Sequence, residues 1–174
     1  MIGVGQKAPE FACKALVGTE FKEIRLSDFQ GQWVCLYFYP LDFTFVCPTE
    51  IKAFSDMVPE FQDRDCVVLG GSCDSEFSHL GWVNAKSELA NLKHPLLADY
   101  TKKLAASLGV LDADSGTPQR ATFLIDPDGI VRFVYVTDLN VGRNPGEVLR
   151  VLDALQTDEL CPCNWKKGEA TLQV

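Results

Sequence analysis

The segment Phe43-Thr44-Phe45-Val46-Cys47-Pro48-Thr49-Glu50 places a thiol where an apolar run ends and a helix begins. The run Trp33-Val34-Cys35-Leu36-Tyr37-Phe38-Tyr39 is rich in aromatic and β-branched residues and reads as a buried strand. Pro40 ends it, and Pro48 suits the first helical position, where its missing N–H is not needed. Glu50 adds negative charge to that first turn, which the helix dipole favours. Cys47 therefore sits at a helix N-terminus, whose unpaired N–H groups and positive dipole end stabilise a thiolate. A thiolate attacks electrophiles, so the position points to redox or nucleophilic chemistry. Taken alone, it is equally consistent with a packed thiol.

The elements that position this thiol alternate along the chain. A helix over about 47–61 is followed by the strand Cys66-Val67-Val68-Leu69-Gly70-Gly71-Ser72. Residues 75–89 read as a second helix capped by Asp74 or Ser75, and 94–98 as a short strand. A helix over 100–108 ends at Gly109. Strands over 121–125 and 130–136 flank Asp126-Pro127-Asp128-Gly129, a strong hairpin signal. A final helix over 145–155 carries Val148, Leu149, Val151, Leu152 and Leu155 on one stripe. This order predicts an α/β fold with a mixed central sheet and helices on both faces, as in the thioredoxin-like architecture. Residues beyond Leu160 lack a helical stripe and read as an extended C-terminal tail that carries Cys161 and Cys163.

At 174 residues the chain fits one domain with its own core. A net charge of −8 with no basic stretch argues against nucleic-acid binding. The apolar stretch from Trp33 to Val46 is broken by Pro40 and Asp42 and is too short to span a membrane. Residues 1–7 lack the charged-then-apolar pattern of a secretion signal, so the expected location is cytoplasmic. There, seven cysteines without regular spacing do not build a static disulfide framework. Cys35 and Cys66 lie inside apolar strands and read as small hydrophobes, as do Cys73 and Cys13.

Further motifs surround the thiol. Pro40, Thr44 and Cys47 form a P-x3-T-x2-C pattern, and the chain resembles the peroxiredoxins, more closely those of the alkyl hydroperoxide reductase C type. Residues 40–50 are similar to the family's peroxidatic loop. Ser72-Cys73-Asp74-Ser75-Glu76-Phe77-Ser78-His79 is similar to its S-x-D-S-x-F-x-H segment, and Arg120 to Asp126 to its R-x-T-F-x-I-D strand. Val141-Gly142-Arg143-Asn144 matches as well, and Cys161-Pro162-Cys163-Asn164-Trp165 resembles the resolving-cysteine tail. The Cys-x-Cys tail resembles mycobacterial-type members.

The resemblance implies a thiol-dependent peroxidase that reduces hydrogen peroxide and organic hydroperoxides without a cofactor or metal. Residues 1–157 would form the peroxidase domain and 158–174 the tail. Cys47 would be the peroxidatic thiol, with Arg120 as the cation that pairs with the thiolate and orients the peroxide. Thr44 offers a hydroxyl to thiolate or peroxide, Pro40 shields the pocket, and Glu50 and Arg143 lie near it. N–H groups near Val46 and Cys47 could stabilise charge moving along the O–O axis. The sulfenic acid formed at Cys47 condenses with a second thiol. By resemblance that thiol is Cys161 of a partner subunit, with Cys163 auxiliary, which implies a homodimer assembling into a decameric or dodecameric ring. The reductant would be an alkyl hydroperoxidase D-like (AhpD-like) dithiol adaptor, thioredoxin, or a flavoprotein of the AhpF type. The chain has neither a Gly-Gly-Leu-Gly loop, reading Asp99-Tyr100-Thr101-Lys102-Lys103-Leu104 instead, nor a C-terminal Tyr-Phe helix, reading Leu172-Gln173-Val174. Resistance to overoxidation is therefore expected.

Competing readings have less support. A thioredoxin-like disulfide carrier wants Cys-x-x-Cys at the helix start, and Glu50 stands where the second cysteine belongs. A zinc module needs about four ligands, and Cys161 and Cys163 have no second pair. A chaperone-like oligomer is compatible with peroxidase activity. His79 reads as facing a neighbouring helix rather than acting as a base, which leaves a Cys-His hydrolase little support. Trp82 reads as packing beside the active-site loop.

Overall fold

The computed structural model describes residues 1–173; Val174, part of the terminal segment lacking Tyr-Phe, lies outside them. Seven strands form one mixed sheet in the order β2-β1-β5-β4-β3-β6-β7. β3 (Trp33–Phe38), β4 (Cys66–Ser72) and β5 (Leu96–Ala98) run parallel, and β6 (Arg120–Ile125) pairs antiparallel with β3. β3, β4 and β6 lie in the sheet interior and are buried almost throughout, as continuous apolar runs covered on both faces require. β6 turns into β7 (Val131–Thr137) at Gly129, whose φ of 81° a side chain would resist. Asp126 closes that turn by accepting from the N–H groups of Asp128 and Ile130.

Two hydrophobic clusters occupy the two faces. α4 (Lys103–Leu108) covers one with Leu104, Ala105 and Leu108. α1 (Cys47–Asp56), α2 (Val58–Gln62) and α5 (Pro145–Thr157) cover the other with Ile51, Phe54, Phe61, Val148 and Leu152. Trp82 of α3 (Glu76–Ala85) joins this second cluster. The thioredoxin-like expectation therefore holds, with helices on both faces. No helix among the described residues is long and apolar enough to cross a membrane.

Several elements depart from the sequence reading. The helix expected over 47–61 breaks at Met57, because Pro59 has no N–H to continue it and would clash with the preceding turn. The helix expected over 75–89 ends at Ala85, and a short 3-10 turn over Ser87–Leu89 follows. Ser75, not Asp74, is its N-cap, accepting from Ser78 N–H. A hairpin of β1 (Ala12–Val17) and β2 (Glu20–Arg25) was not anticipated. Its outer strand is almost wholly exposed, so it carries little of the apolar alternation that marks a strand.

Among the described residues the tail has no helix and one bridging pair, Leu160 with Leu172, yet it is anchored rather than free. Trp165 is buried against α5, its carbonyl accepts from Arg150 and its indole N–H donates to the Glu169 carbonyl.

Candidate active site

β3 ends at Phe38, and the Tyr39 N–H still bonds the Gly71 carbonyl, so the chain leaves the sheet centre at Pro40, itself buried. Residues 41–46 make the turn into α1. Phe43 sits in the left-handed region at φ 57°, unusual for a bulky residue, with its ring 5.9 Å from that of Trp82. Cys47 is the first residue of α1 and is fully buried, and Pro48 is the second. The N–H of Cys47 has no acceptor within the helix and points with the dipole toward the thiol end. Thr44 lies on the same loop, but its hydroxyl donates to the Leu41 carbonyl at 2.9 Å rather than to sulfur. Its lone pairs remain available to accept a proton donor.

The cation comes from the sheet. Arg120 opens β6, the strand paired directly with β3 where the loop originates, and is almost entirely buried. Its Nη1 lies 3.3 Å from Cys47 Sγ and 2.6 Å from Glu50 Oε2, and its Nε donates to the Leu139 carbonyl at 2.7 Å. Glu50, one turn after Cys47, is the hub. Arg143 donates to it three times, from its backbone N–H at 2.9 Å, from Nε at 2.8 Å and from Nη2 at 3.0 Å. Arg143 also bonds the Ala121 carbonyl and Thr122, and its guanidinium lies 5.3 Å from the Tyr37 ring centroid. Burial pushes the Glu50 carboxyl up, but Arg143 and Arg120 outweigh it and hold it below its ordinary value. Two guanidinium groups around one carboxylate leave net positive charge beside the sulfur.

The other thiols differ. Burial pushes Cys13, Cys66 and Cys73 up to about 12, and Cys35 far above its ordinary value. Their reading as packed residues agrees with this. Cys161 is half-buried, 3.4 Å from the Thr157 hydroxyl, and Cys163 is exposed. Both line an open cleft of about 920 Å³ between α5 and the tail, with Arg150, Ala154 and Leu155. All seven cysteines are free thiols. The fold thus brings Cys47, Arg120, Glu50 and Arg143 together, with Pro40 and Thr44 on the loop that leads into Cys47, and it leaves the tail thiols elsewhere.

Neither histidine touches Cys47. His94 bonds the Tyr37 hydroxyl at 2.7 Å, and burial lowers it to about 3. His79 does not face a neighbouring helix as expected: its ring nitrogens meet Asp42 Oδ2 of the loop at 2.8 Å and the Leu97 carbonyl of β5 at 3.1 Å. The sequence reading does not single out Asp42; an acidic residue inside an aromatic loop is its only local signal, and its partner His79 lies 37 residues on, in α3.

A buried thiol at a helix start, faced by a carboxylate-clamped arginine on a thioredoxin-like sheet, is the arrangement of a thiol-dependent peroxidase. The model of the AhpC/TSA family matches residues 4–134, and the chain belongs to that family. It is 46% identical to alkyl hydroperoxide reductase C of Mycolicibacterium smegmatis, over 99% of this chain and 94% of that protein. It is 50% identical to peroxiredoxin-2 of Bos taurus, over 98% and 89% respectively. Among solved structures, the reduced 2-Cys peroxiredoxin of Plasmodium vivax superposes with a TM-score of 0.92 at 43% identity, covering 97% of this chain and 91% of that one.

Proposed function

We propose that Cys47 is the peroxidatic thiol and Cys161 the resolving thiol of a two-cysteine cycle acting on hydrogen peroxide and organic hydroperoxides. The 3.3 Å contact between Arg120 Nη1 and Cys47 Sγ carries this reading. The thiolate attacks one peroxide oxygen, an S–O bond forms as the O–O bond breaks, and the alkoxide or hydroxide leaves and takes up a proton. Arg120 stabilises the charge as it passes from sulfur to the departing oxygen. Pro40 limits water, and the Thr44 oxygen can accept from the peroxide O–H. Glu50 and Arg143 hold Arg120 in place.

The thiolate of Cys161 from a second copy then attacks the sulfenic sulfur, an S–S bond forms as the S–O bond breaks, and the expelled hydroxide takes up the proton released when Cys161 ionised and leaves as water. Cys47 is buried, so the first turn of α1 must unwind for this step. Residues 158–174 serve as the unit that presents Cys161. A dithiol reductant closes the cycle by exchange, and the open cleft around Cys161 and Cys163 leaves both thiols accessible to an AhpD-like adaptor, thioredoxin or an AhpF-like flavoprotein. Cys163 acts as the auxiliary thiol of that exchange. A cytoplasmic setting, reducing enough to keep these thiols free, belongs to this reading. Resistance to overoxidation belongs to the same reading.

Self-association has two supports. β7 ends the sheet; residues 5–7 cover its outer edge at Val131, and beyond that no strand among the described residues pairs with it, which leaves a ready pairing surface. Exposed Phe77 packs edge to face on exposed Phe21 with ring centroids 5.1 Å apart, an apolar patch suited to joining dimers into a ring, and Phe43 and Phe45 are exposed as well, Phe45 at 94%. Phe77→Asp should lower the mass in sedimentation velocity to that of a dimer; an unchanged mass removes this patch from the assembly.

The cycle is tested on a non-reducing gel after one equivalent of peroxide. Wild type should give a covalent dimer that is lost in Cys47→Ser and Cys161→Ser and largely kept in Cys163→Ser. A dimer persisting in Cys161→Ser would transfer resolution to Cys163.

A further inference from the structure

His79 and Asp42 make a contact that the peroxidase chemistry does not use. Both side chains are essentially inaccessible, and they join α3 to the loop that leads into Cys47. Nε2 of His79 faces the Leu97 carbonyl, which can only accept, so Nε2 carries a proton. Nδ1 faces Asp42 Oδ2 at 2.8 Å. The hydroxyl that touches both side chains, Tyr39, donates its proton to Asp42 Oδ1 at 2.8 Å and so has none for Nδ1, 3.3 Å away. A second proton must therefore lie between Nδ1 and Oδ2, or two lone pairs would oppose each other at that distance. The same residue is held through its backbone, because Asp42 N–H donates to Asp74 Oδ2, which also accepts from the Ser72 hydroxyl. One residue later, Phe43 takes its left-handed conformation, a cost on the order of 1 kcal/mol that the loop bears only while it is held.

We propose that Asp42 and His79 are positioning residues for Cys47: the proton held between them latches residues 40–46 closed, and its release frees the loop to open. The groups facing His79 are Asp42 from the loop, Asp74 from the turn after β4, Tyr39 from the end of β3 and the Leu97 carbonyl from β5. Burial disfavours the charged imidazole, but Asp42, the Leu97 carbonyl and Asp74 outweigh it and leave His79 above its ordinary value. For a group raised in the folded state, the stabilisation is complete below the unfolded value of about 6.5 and is lost as pH rises through the folded one. The latch therefore weakens on the alkaline side. The inference relies on the peroxidatic role of Cys47 only for its kinetic consequence, which is that a looser loop reacts more slowly with peroxide and forms its disulfide faster.

Hydrogen exchange of residues 43–50 in the reduced protein, corrected for intrinsic rates, tests the latch without any peroxide. In wild type, protection should fall about tenfold between about pH 6 and about pH 9, the scale of one charge-assisted hydrogen bond. Asp42→Ala should show the low value at both pH values. Asp42→Asn should stay protected with no pH change, because its amide N–H can donate to a neutral Nδ1 while its oxygen accepts from Tyr39. In stopped flow, Asp42→Ala should slow the peroxide-dependent step and accelerate the first-order disulfide step. Wild-type protection in Asp42→Ala, or a full pH response surviving in Asp42→Asn, would overturn the proposal. So would an equal loss of protection in β4 and β6, since the pair would then hold the fold rather than the loop. None of these failures would touch the role of Cys47, which the gel decides separately.

Discussion

If Cys47 is the peroxidatic thiol proposed above, Cys47→Ser is expected to lower peroxide turnover by about a thousandfold or more, because it removes the attacking atom and leaves no equivalent thiol among the described residues. Serine keeps the size and the helix, so Arg120, Glu50 and Arg143 stay in place, but a hydroxyl is not ionised at neutral pH. The remaining thiols are poor substitutes for stated reasons. With Cys13, Cys66 and Cys73 pushed up to about 12 by burial, only on the order of one molecule in 10⁵ carries that thiolate at pH 7. Cys35 lies deeper still. Cys161 and Cys163 are accessible, but they line an open cleft and lack the enclosed guanidinium pocket that orients a peroxide. Peroxide consumption with dithiothreitol as reductant measures the loss. Activity within about tenfold of wild type would mean that another thiol carries the chemistry.

Glu50→Ala should destabilise the reduced protein by about 3–5 kcal/mol, the cost of breaking a buried ionic cluster by removing one side. Its carboxylate is the shared partner of Arg120 and Arg143, both almost wholly inside the protein. Without it, two buried cations face each other across a cavity, and urea denaturation should show an earlier midpoint with little change in slope. Arg120 keeps its bond to the Leu139 carbonyl but loses the anchor that fixes Nη1, so the peroxide step should also slow by roughly 10²-fold. Glu50→Gln separates charge from shape. A carboxyl held below its ordinary value contributes stability that is present above about pH 4.3 and lost as pH falls through the folded value. The stability gap between wild type and Glu50→Gln should therefore be widest at neutral pH and narrow in acid. A gap that is flat across that range would show that Glu50 is not ionised in the folded protein.

Much of this was legible in the sequence because it is encoded over a few residues. The strand-to-helix thiol needs only the run from Trp33, Pro40, Pro48 and Glu50. The β6–β7 hairpin follows from Asp126-Pro127-Asp128-Gly129, and Gly109 stops α4 in the left-handed conformation that glycine tolerates. Pro59, also in plain view, breaks the helix that apolar spacing alone extends to Phe61. The β1–β2 hairpin stayed hidden because an exposed edge strand buries too little to pattern its sequence.

The site was a different matter. Arg120 reaches Cys47 across 73 residues, and Arg143 reaches Glu50 across 93. In sequence these are ordinary arginines, and the residue types alone do not say which will lie inside. Packing of α1 and the 139–144 loop against β3 and β6 decides it, since burial turns an ordinary surface ion pair into an obligatory one. The same holds for Asp42 and His79, whose protonation is a consequence of the Leu97 carbonyl on a third element. Local backbone preference thus encodes the thiol at a helix start and the alternation of strands and helices. Which charges surround that thiol, and what holds its loop, is set by contacts between distant segments in a medium from which water is excluded.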